Sequence, residues 1–365
     1  MANAVEMLTQ SGQNVVQVDA GVTHACALVQ SGRVYCWGFG SFGQLGSDTI
    51  SSNVPVLVKR LGNIKQISVG RNHSCALQRS GRVFCWGRND AGQLGNGSTD
   101  NSSIRVRVQA APNAVDISVG NDHSCMVMRN GRAFCWGNNR VDQLGLGPGG
   151  GVIFSTPQRV AGSTLFNQIS AGFNYTCAIG LDSRGYCWGF TTALGTGSGR
   201  AQSPARVLNL ERLTQISADF SHTCAVRDDG VAFCWGANSN GKLGNNSGST
   251  ETLPTRVKQL FDAKKIDTGF QHTCALRENG FTVCWGDNRN GELGDGTTTQ
   301  RNLRKRVARL RGLTNISAGS EFTCATRNDG RAFCWGANNH GQLGNGQTNR
   351  DPNPIRKRVN VPGSP

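Results

Sequence analysis

The sequence predicts an all-β protein: a seven-bladed β-propeller of four-stranded antiparallel blades with a period of about 50 residues. Three observations predict it. Glycine supplies 49 of 365 residues and only 17% are charged, too much glycine for a helical protein and too little charge for a disordered one. The 14 cysteines fall into seven pairs, 26/36, 75/85, 125/135, 177/187, 224/234, 274/284 and 324/334, whose first members advance by 49, 50, 52, 47, 50 and 50 residues. Between them, short apolar stretches alternate with Gly, Asn and Ser, the pattern of strands and turns. The chain therefore reads as one domain over 1–365, with units at about 15–63, 64–113, 114–165, 166–212, 213–262, 263–312 and 313–361.

Within a unit the elements follow in a fixed order. The third reads Ile117-Ser118-Val119-Gly120-Asn121-Asp122-His123-Ser124-Cys125, then Asn130-Gly131-Arg132-Ala133-Phe134-Cys135-Trp136-Gly137, then Gln143-Leu144-Gly145. The first segment is a strand, and a Gly-x-x-His turn carries the chain into a second strand at the first cysteine. An x-x-Gly turn makes a tight hairpin into a third strand, Phe-Cys-Trp-Gly. A Gly-Gln-Leu-Gly loop leads to a fourth, as at Pro55 to Val58. Four strands of about five residues make one blade.

The apolar fraction of 37%, with seven Trp and 15 Phe, supports a real core, and no apolar run approaches the roughly 18 residues of a membrane span. Lys and Arg outnumber Asp and Glu by 38 to 23, a charge of +15 that favours acidic partners: nucleic acid, anionic polysaccharide, a lipid headgroup surface or an acidic protein. A monomer is expected.

The Gly-x-x-His-x-x-Ala-Leu, Trp-Gly and Gly-Gln-Leu-Gly signatures resemble the regulator-of-chromosome-condensation repeat, and the resemblance runs from about Val15 to Val359. It implies a seven-bladed propeller. It is broad in function, because family members include a nuclear exchange factor for the Ran GTPase, a UV-B photoreceptor, receptor ectodomains and a β-lactamase inhibitor.

The ten-residue offset across a short hairpin sets the two cysteines of each unit opposite one another, where Cβ atoms lie roughly 4.5 to 5.5 Å apart, within reach of a disulfide. Seven intrablade disulfides are expected: Cys26–Cys36, Cys75–Cys85, Cys125–Cys135, Cys177–Cys187, Cys224–Cys234, Cys274–Cys284 and Cys324–Cys334. Each closes a loop of about 11 residues, worth roughly 2 to 3 kcal/mol. Buried free thiols and a zinc site built on His24, Cys26 and Cys36 are the alternatives. The zinc reading lacks a fourth ligand, and His becomes Tyr175 and Phe322 in units 4 and 7 while both cysteines stay. No metal and no cofactor are expected. Disulfides place the protein outside the cell or in another oxidising compartment, with an intracellular location as the alternative. Met1 to Asn14 lacks the regions of a signal peptide, so a mature or trimmed chain with an added start Met is expected.

Whatever repeats in all seven blades fills a structural role by default. The seven tryptophans then pack between blades, and the five histidines His24, His73, His123, His222 and His272 serve as hydrogen-bonded turn residues. No nucleophile, base and acid converge outside the repeat, so an enzyme is not expected. The departures from the repeat are the candidate sites. On the rim formed by the turns after the first strands, Phe173, Phe220 and Phe270 occupy equivalent positions, with Phe154 and Phe190 on irregular loops beside them and Asp122 and Glu321 as flanking charges. These are the expected protein-binding residues. On the opposite rim Arg33, Arg82, Arg132, Arg184 and Arg331 stand just past the hairpin turns. Links between blades add Lys264, Lys265, Arg304, Lys305 and Arg306, giving an expected site for a glycan or nucleic acid.

The function expected is a rigid binding scaffold for a protein partner, with the Arg-rich rim for anionic partners. One alternative is a guanine-nucleotide exchange factor for a small GTPase that also binds chromatin. Recognition of an anionic glycan or cell-envelope polymer is the other. Ring closure is expected through one blade that draws on both ends of the chain, with Pro354 to Val359 favoured over Ala4 to Leu8 as its outer strand.

Overall fold

Seven four-stranded sheets, each in simple sequential order, are arranged as blades around a central channel in the computed structural model, which describes residues 13–109 and 112–365. Blade 1 runs Val15–Ala20, His24–Val29, Val34–Phe39 and Ser51–Leu57, from the channel outward, and blades 2 to 7 begin at Ile64, Ala114, Phe166, Leu213, Ala263 and Leu313. Among the described residues the only helix is one 3-10 turn, Thr192–Leu194, in a loop of blade 4.

The predicted hairpin register holds in every blade. Each first cysteine lies directly across from the second, as Cys26 does from Cys36, and all seven pairs are disulfide-bonded with Cα atoms 4.0 to 4.1 Å apart. Every described cysteine is used, and all are buried, so neither thiols nor thiolate ligands remain.

The blades are joined by three hydrogen-bonded layers. Nearest the channel floor, glutamine side chains replace a missing sheet neighbour: Gln17 donates to Ile67 O and accepts from Ile67 N–H, and Gln168 and Gln215 do the same to Ile216 and Ile266. One level up, a short acceptor on each first strand takes an N–H of the next blade: Asp19 from Val69, Ser68 from Val119, Ser118 from Ala171, Ser170 from Ala218, Ser217 from Thr268, Asp267 from Ala318 and Ser317 from Ala20. One free-edge amide of each innermost strand is thereby satisfied, which removes the usual cost of leaving it buried and unpaired.

The third layer is the tryptophan ring. Each indole N–H donates to a carbonyl in the preceding blade's Gln-Leu-Gly loop or its equivalent, from Trp86 to Gln44 round to Trp37 on Gln342, at 2.7 to 3.0 Å. The loop glycine lets the loop lie this close: a Cβ on Gly95 would stand 2.6 Å from Trp136 Nε1. The same carbonyl accepts a hydroxyl from the next blade, for example Ser124 Oγ on Gln93 at 2.9 Å and Thr176 Oγ1 on Gln143 at 2.8 Å.

That hydroxyl explains the histidines. They are not turn residues as expected; each opens a second strand, is fully buried, and reaches the next blade, His24 to Ser74, His73 to Ser124, His123 to Thr176, His222 to Thr273 and His272 to Thr323, at 2.8 to 2.9 Å. Because the hydroxyl spends its proton on the loop carbonyl, the imidazole must supply Nε2–H. Tyr175 takes the position in blade 4, its Oη 3.0 Å from Thr223 Oγ1 and donating to His222 O. Phe322 takes it in blade 7, where it joins the apolar cluster at the seam with blade 1.

Among the described residues blade 7 is built from the C-terminal part of the chain, its outer strand being Asn349–Arg358, which contains most of the favoured segment Pro354 to Val359. The alternative, Ala4 to Leu8, lies outside the described residues. The ring closes by contact of whole blades, with Val15 N–H on Gly330 O and Ser320 N–H on Gly21 O.

Candidate partner-binding site at the channel mouth

The turns that follow the first strands surround one mouth of the channel. Backbone bonds run from turn to turn, Phe173 N–H to Asp219 O and Phe270 N–H to Gly319 O among them. Phe173, Phe220 and Phe270 lean inward and form a continuous aromatic row, with ring centroids 4.7 Å apart at 67° and 4.0 Å apart at 38°. All three are partly buried and line a cavity of about 420 Å³ at the mouth.

The five phenylalanines expected in one patch are not one patch. Phe154 packs partly buried against the core of blades 3 and 4. Phe190 is 55% exposed on the far end of a third strand, opposite Arg200. Among the described residues no ring contact joins either to the row. Glu321 is exposed and lines a separate polar hollow with Asn290, Asn339 and Arg350, while Asp122 pairs with Arg88 at 3.4 Å.

The cavity also holds three carboxylates that the sequence reasoning passed over. Asp19 and Asp267 stand where the other blades carry serine, and Asp219 precedes Phe220. Burial, then the neighbouring Asp267 charge, pushes Asp19 up to about 7. Burial and Asp267 push Asp219 to about 8. Asp267 itself is raised by burial. Asp19 and Asp267 are held by hydrogen bonds from the neighbouring blades, including Ser317 Oγ on Asp19 at 3.0 Å and Ser217 Oγ on Asp267 at 3.2 Å. Asp219 receives none from the described residues. The same rule that picked out the turns, departure from the repeat, marks Asp19 and Asp267 once it is applied to the strands.

Two further departures lie beneath the rim. Where most blades carry Gln44 or its equivalents, blade 5 has Lys242 and blade 6 has Glu292, both buried. Lys242 Nζ donates to Ser221 Oγ at 2.9 Å and Gln271 Oε1 at 2.8 Å, and burial brings it down to about 8. Glu292 accepts from Asn290 N–H and Nδ2–H, and burial raises it to about 7.

On the opposite rim the arginines separate by blade. Arg33, Arg82 and Arg132 are exposed, and no ion pair forms to them among the described residues. Arg184 lies 3.3 Å from Glu211, and Arg331 lies 3.6 Å from Asp329. The hairpins of blades 4 to 7 contain acidic residues and those of blades 1 to 3 contain none. Arg304, Lys305 and Arg306 are not in a link between blades but in the outer strand Arg301–Arg306. Arg304 donates to Gln259 O at 2.7 Å, and Arg306 stacks over Phe281 at 3.6 Å with Arg311 on the same ring. Lys264 and Lys265 lie in the innermost strand of blade 6, Ala263–Thr268, with Lys265 Nζ 3.2 Å from Asn315.

This architecture defines a repeat propeller whose blades are locked by paired cysteines and whose singular features gather at a channel mouth and along one arginine rim. A family profile for the RCC1-like domain matches residues 2–218, and the Regulator of chromosome condensation (RCC1) repeat matches 213–242, 263–292 and 313–342, with a second profile of that repeat on 229–276 and 329–363. The chain belongs to the RCC1-like family. It is similar in fold to Prp20p of Saccharomyces cerevisiae, a structure described with its binding to Gsp1p and histones: 21% identity over 95% of this chain and 87% of that one, TM-score 0.80. It is similar also to human WBSCR16, at 22% identity over 84% and 85% with TM-score 0.77. The ectodomain of the Physcomitrella patens receptor kinase CR4 matches at 20% identity over 89% and 74%, TM-score 0.56. Among the described residues no helix is long and apolar enough to cross a membrane.

Proposed function

We propose that the protein is a non-enzymatic binding scaffold that engages a protein partner through the channel-mouth rim. The observation that carries this reading is the row Phe173–Phe220–Phe270, contributed by three adjacent blades at equivalent turns where the other four carry Val22, Arg71, Asn121 and Ser320. Aromatic anchors set in a partly desolvated cleft are the usual energetic centre of a protein interface. The disulfides support folding in an oxidising compartment. The test is affinity for the partner recovered from that compartment. Changing Phe220 and Phe270 to Ala together should weaken it at least about 30-fold, roughly 2 kcal/mol. Equal affinity in wild type and the double variant would overturn the reading.

A second reading has its own observation. Arg33, Arg82 and Arg132, exposed on three neighbouring hairpins and without an ion pair among the described residues, support an anion site for a glycan or nucleic-acid backbone on the other rim.

A further inference from the structure

We propose that the channel-mouth cavity receives a cationic side chain, arginine or lysine, carried on a protruding segment of the protein partner. The inference rests on the reading that the phenylalanine rim is the docking rim, and it adds the chemistry of the group that enters.

The cavity is large enough for such a group: at about 420 Å³ it falls within the range of ligand sites. Its wall is divided by chemistry. One side presents the faces and edges of Phe173, Phe220 and Phe270, and Asp219 comes from the same turn as Phe220. Asp19 and Asp267 stand on the strands below. Among the described residues Arg71 is the only basic side chain in the lining; it belongs to blade 2 and reaches Asn121 at 3.4 Å. A chain with 15 excess positive charges thus places carboxylates and aromatic rings, with one cation, around its central opening.

Two features select an organic cation. Aromatic faces attract organic cations such as guanidinium and alkylammonium. The bonding of the three carboxylates leaves one open to a ligand: Asp19 and Asp267 each accept an N–H from the next blade and a serine hydroxyl, whereas the half-buried Asp219 takes no hydrogen bond from the described residues. A planar or tetrahedral N–H donor entering beside the contacting Phe220–Phe270 pair supplies both a hydrogen bond and a countercharge to Asp219.

The same geometry couples binding to a proton. Asp219 lines the channel mouth together with Asp267 of the adjacent blade and Asp19 of blade 1, with Lys242 beneath its own turn and Lys265 beside the other two acids. Burial and the two acids raise it to about 8, and Lys242 works against that rise. A cation favours the carboxylate, so binding expels the Asp219 proton and affinity rises as pH rises toward 8.

Calorimetric titration of the full chain with a blocked pentapeptide bearing a central arginine, beside the same peptide with central norleucine, tests this. The arginine peptide should bind at least tenfold more tightly than the norleucine peptide, and at least threefold more tightly at pH 8.5 than at pH 6. Asp219→Asn should weaken the arginine peptide at least tenfold and flatten its pH profile, with norleucine unchanged. Equal binding of the two peptides, or a pH-independent affinity in the wild type, would overturn the inference whatever the variant does. Tetramethylammonium binding as tightly as the arginine peptide would overturn the assignment to a protein side chain. The two readings fail differently: loss of the partner in the Phe220, Phe270 double variant but not in Asp219→Asn leaves the rim reading standing and removes the cation, whereas retention in both removes the rim itself.

Discussion

Phe322 meets Ala25 in one buried cluster at the junction of blades 7 and 1, at the place where five other junctions join a histidine to a serine or threonine. Blade 1 is the only blade without a hydroxyl at this strand position, and blade 7 has the residue that needs none. Phe322→His should therefore destabilise the protein by about 2 to 4 kcal/mol, because its imidazole N–H finds no acceptor. Adding Ala25→Ser should recover at least about 1 kcal/mol. A double-mutant cycle in chemical denaturation measures the coupling; additive effects would show that the two positions do not communicate.

The disulfides are checked by mass. Unreduced protein purified from an oxidising compartment should be lighter than the reduced form by two hydrogens for each of seven bonds. Replacing both Cys75 and Cys85 with Ala should lower stability by about 2 to 3 kcal/mol. Recovery of 14 alkylatable thiols before reduction would contradict the bonding.

Stability should fall on both sides of a plateau in pH. Burial pushes His24, His73 and His123 down to about 3 and His272 to about 4, against 6.5 in the unfolded chain. Below 6.5 the unfolded chain binds more protons, so acid removes stability through the window from 6.5 to about 3. Asp19, Asp219 and Glu292 are raised to about 7 or 8 from 3.8 or 4.5, so the folded protein holds their protons longer and stability declines as pH rises through that range. From about 4 to 6.5 the two trends oppose. Melting temperatures at half-unit steps should show this shape, with the alkaline decline reduced in Asp219→Asn.

Removing residues 349–365 deletes the outer strand of blade 7 together with Val359 and Val361 of the seam core. The melting temperature should fall by 5 °C or more, an estimate of roughly 2 kcal/mol or more in a chain of this size. An unchanged melt would mean that another segment covers blade 7.

Heparin retention separates the two halves of the arginine rim. Exchanging Arg82 and Arg132 for Ala should lower the eluting salt concentration clearly more than exchanging Arg184 and Arg331, which already have acidic neighbours. Equal shifts would return the rim to simple net charge.

The cysteine pairing was legible because it rests on residues ten apart, where hairpin geometry leaves one register, and the blade pattern because the same unit recurs about every 50 residues. The role of His24 was not, since its partner Ser74 lies 50 residues away and only the packing of one blade on the next joins them. The candidate site was half legible. Turn departures disclosed Phe173, Phe220 and Phe270, but Phe154 and Phe190 do not share their neighbourhood, because they lie not in loops but in the strands Ile153–Arg159 and Gly185–Phe190, farther out along their blades than the innermost strand. Asp19 and Asp267 were overlooked because an Asp-for-Ser exchange on a strand looks conservative until its carboxylate is found facing another carboxylate.

The junction of Phe322 with Ala25 also sets how many blades the ring can count. Closing early, blade 6 against blade 1, would lay His272 on Ala25 and strand an imidazole. A ring that dropped blade 1 would lay Phe322 on the Ser74 hydroxyl instead. Six junctions that each set a hydroxyl against a histidine or tyrosine cannot by themselves distinguish a sixfold from a sevenfold circle, whereas the one apolar pair gives the circle a single beginning and end.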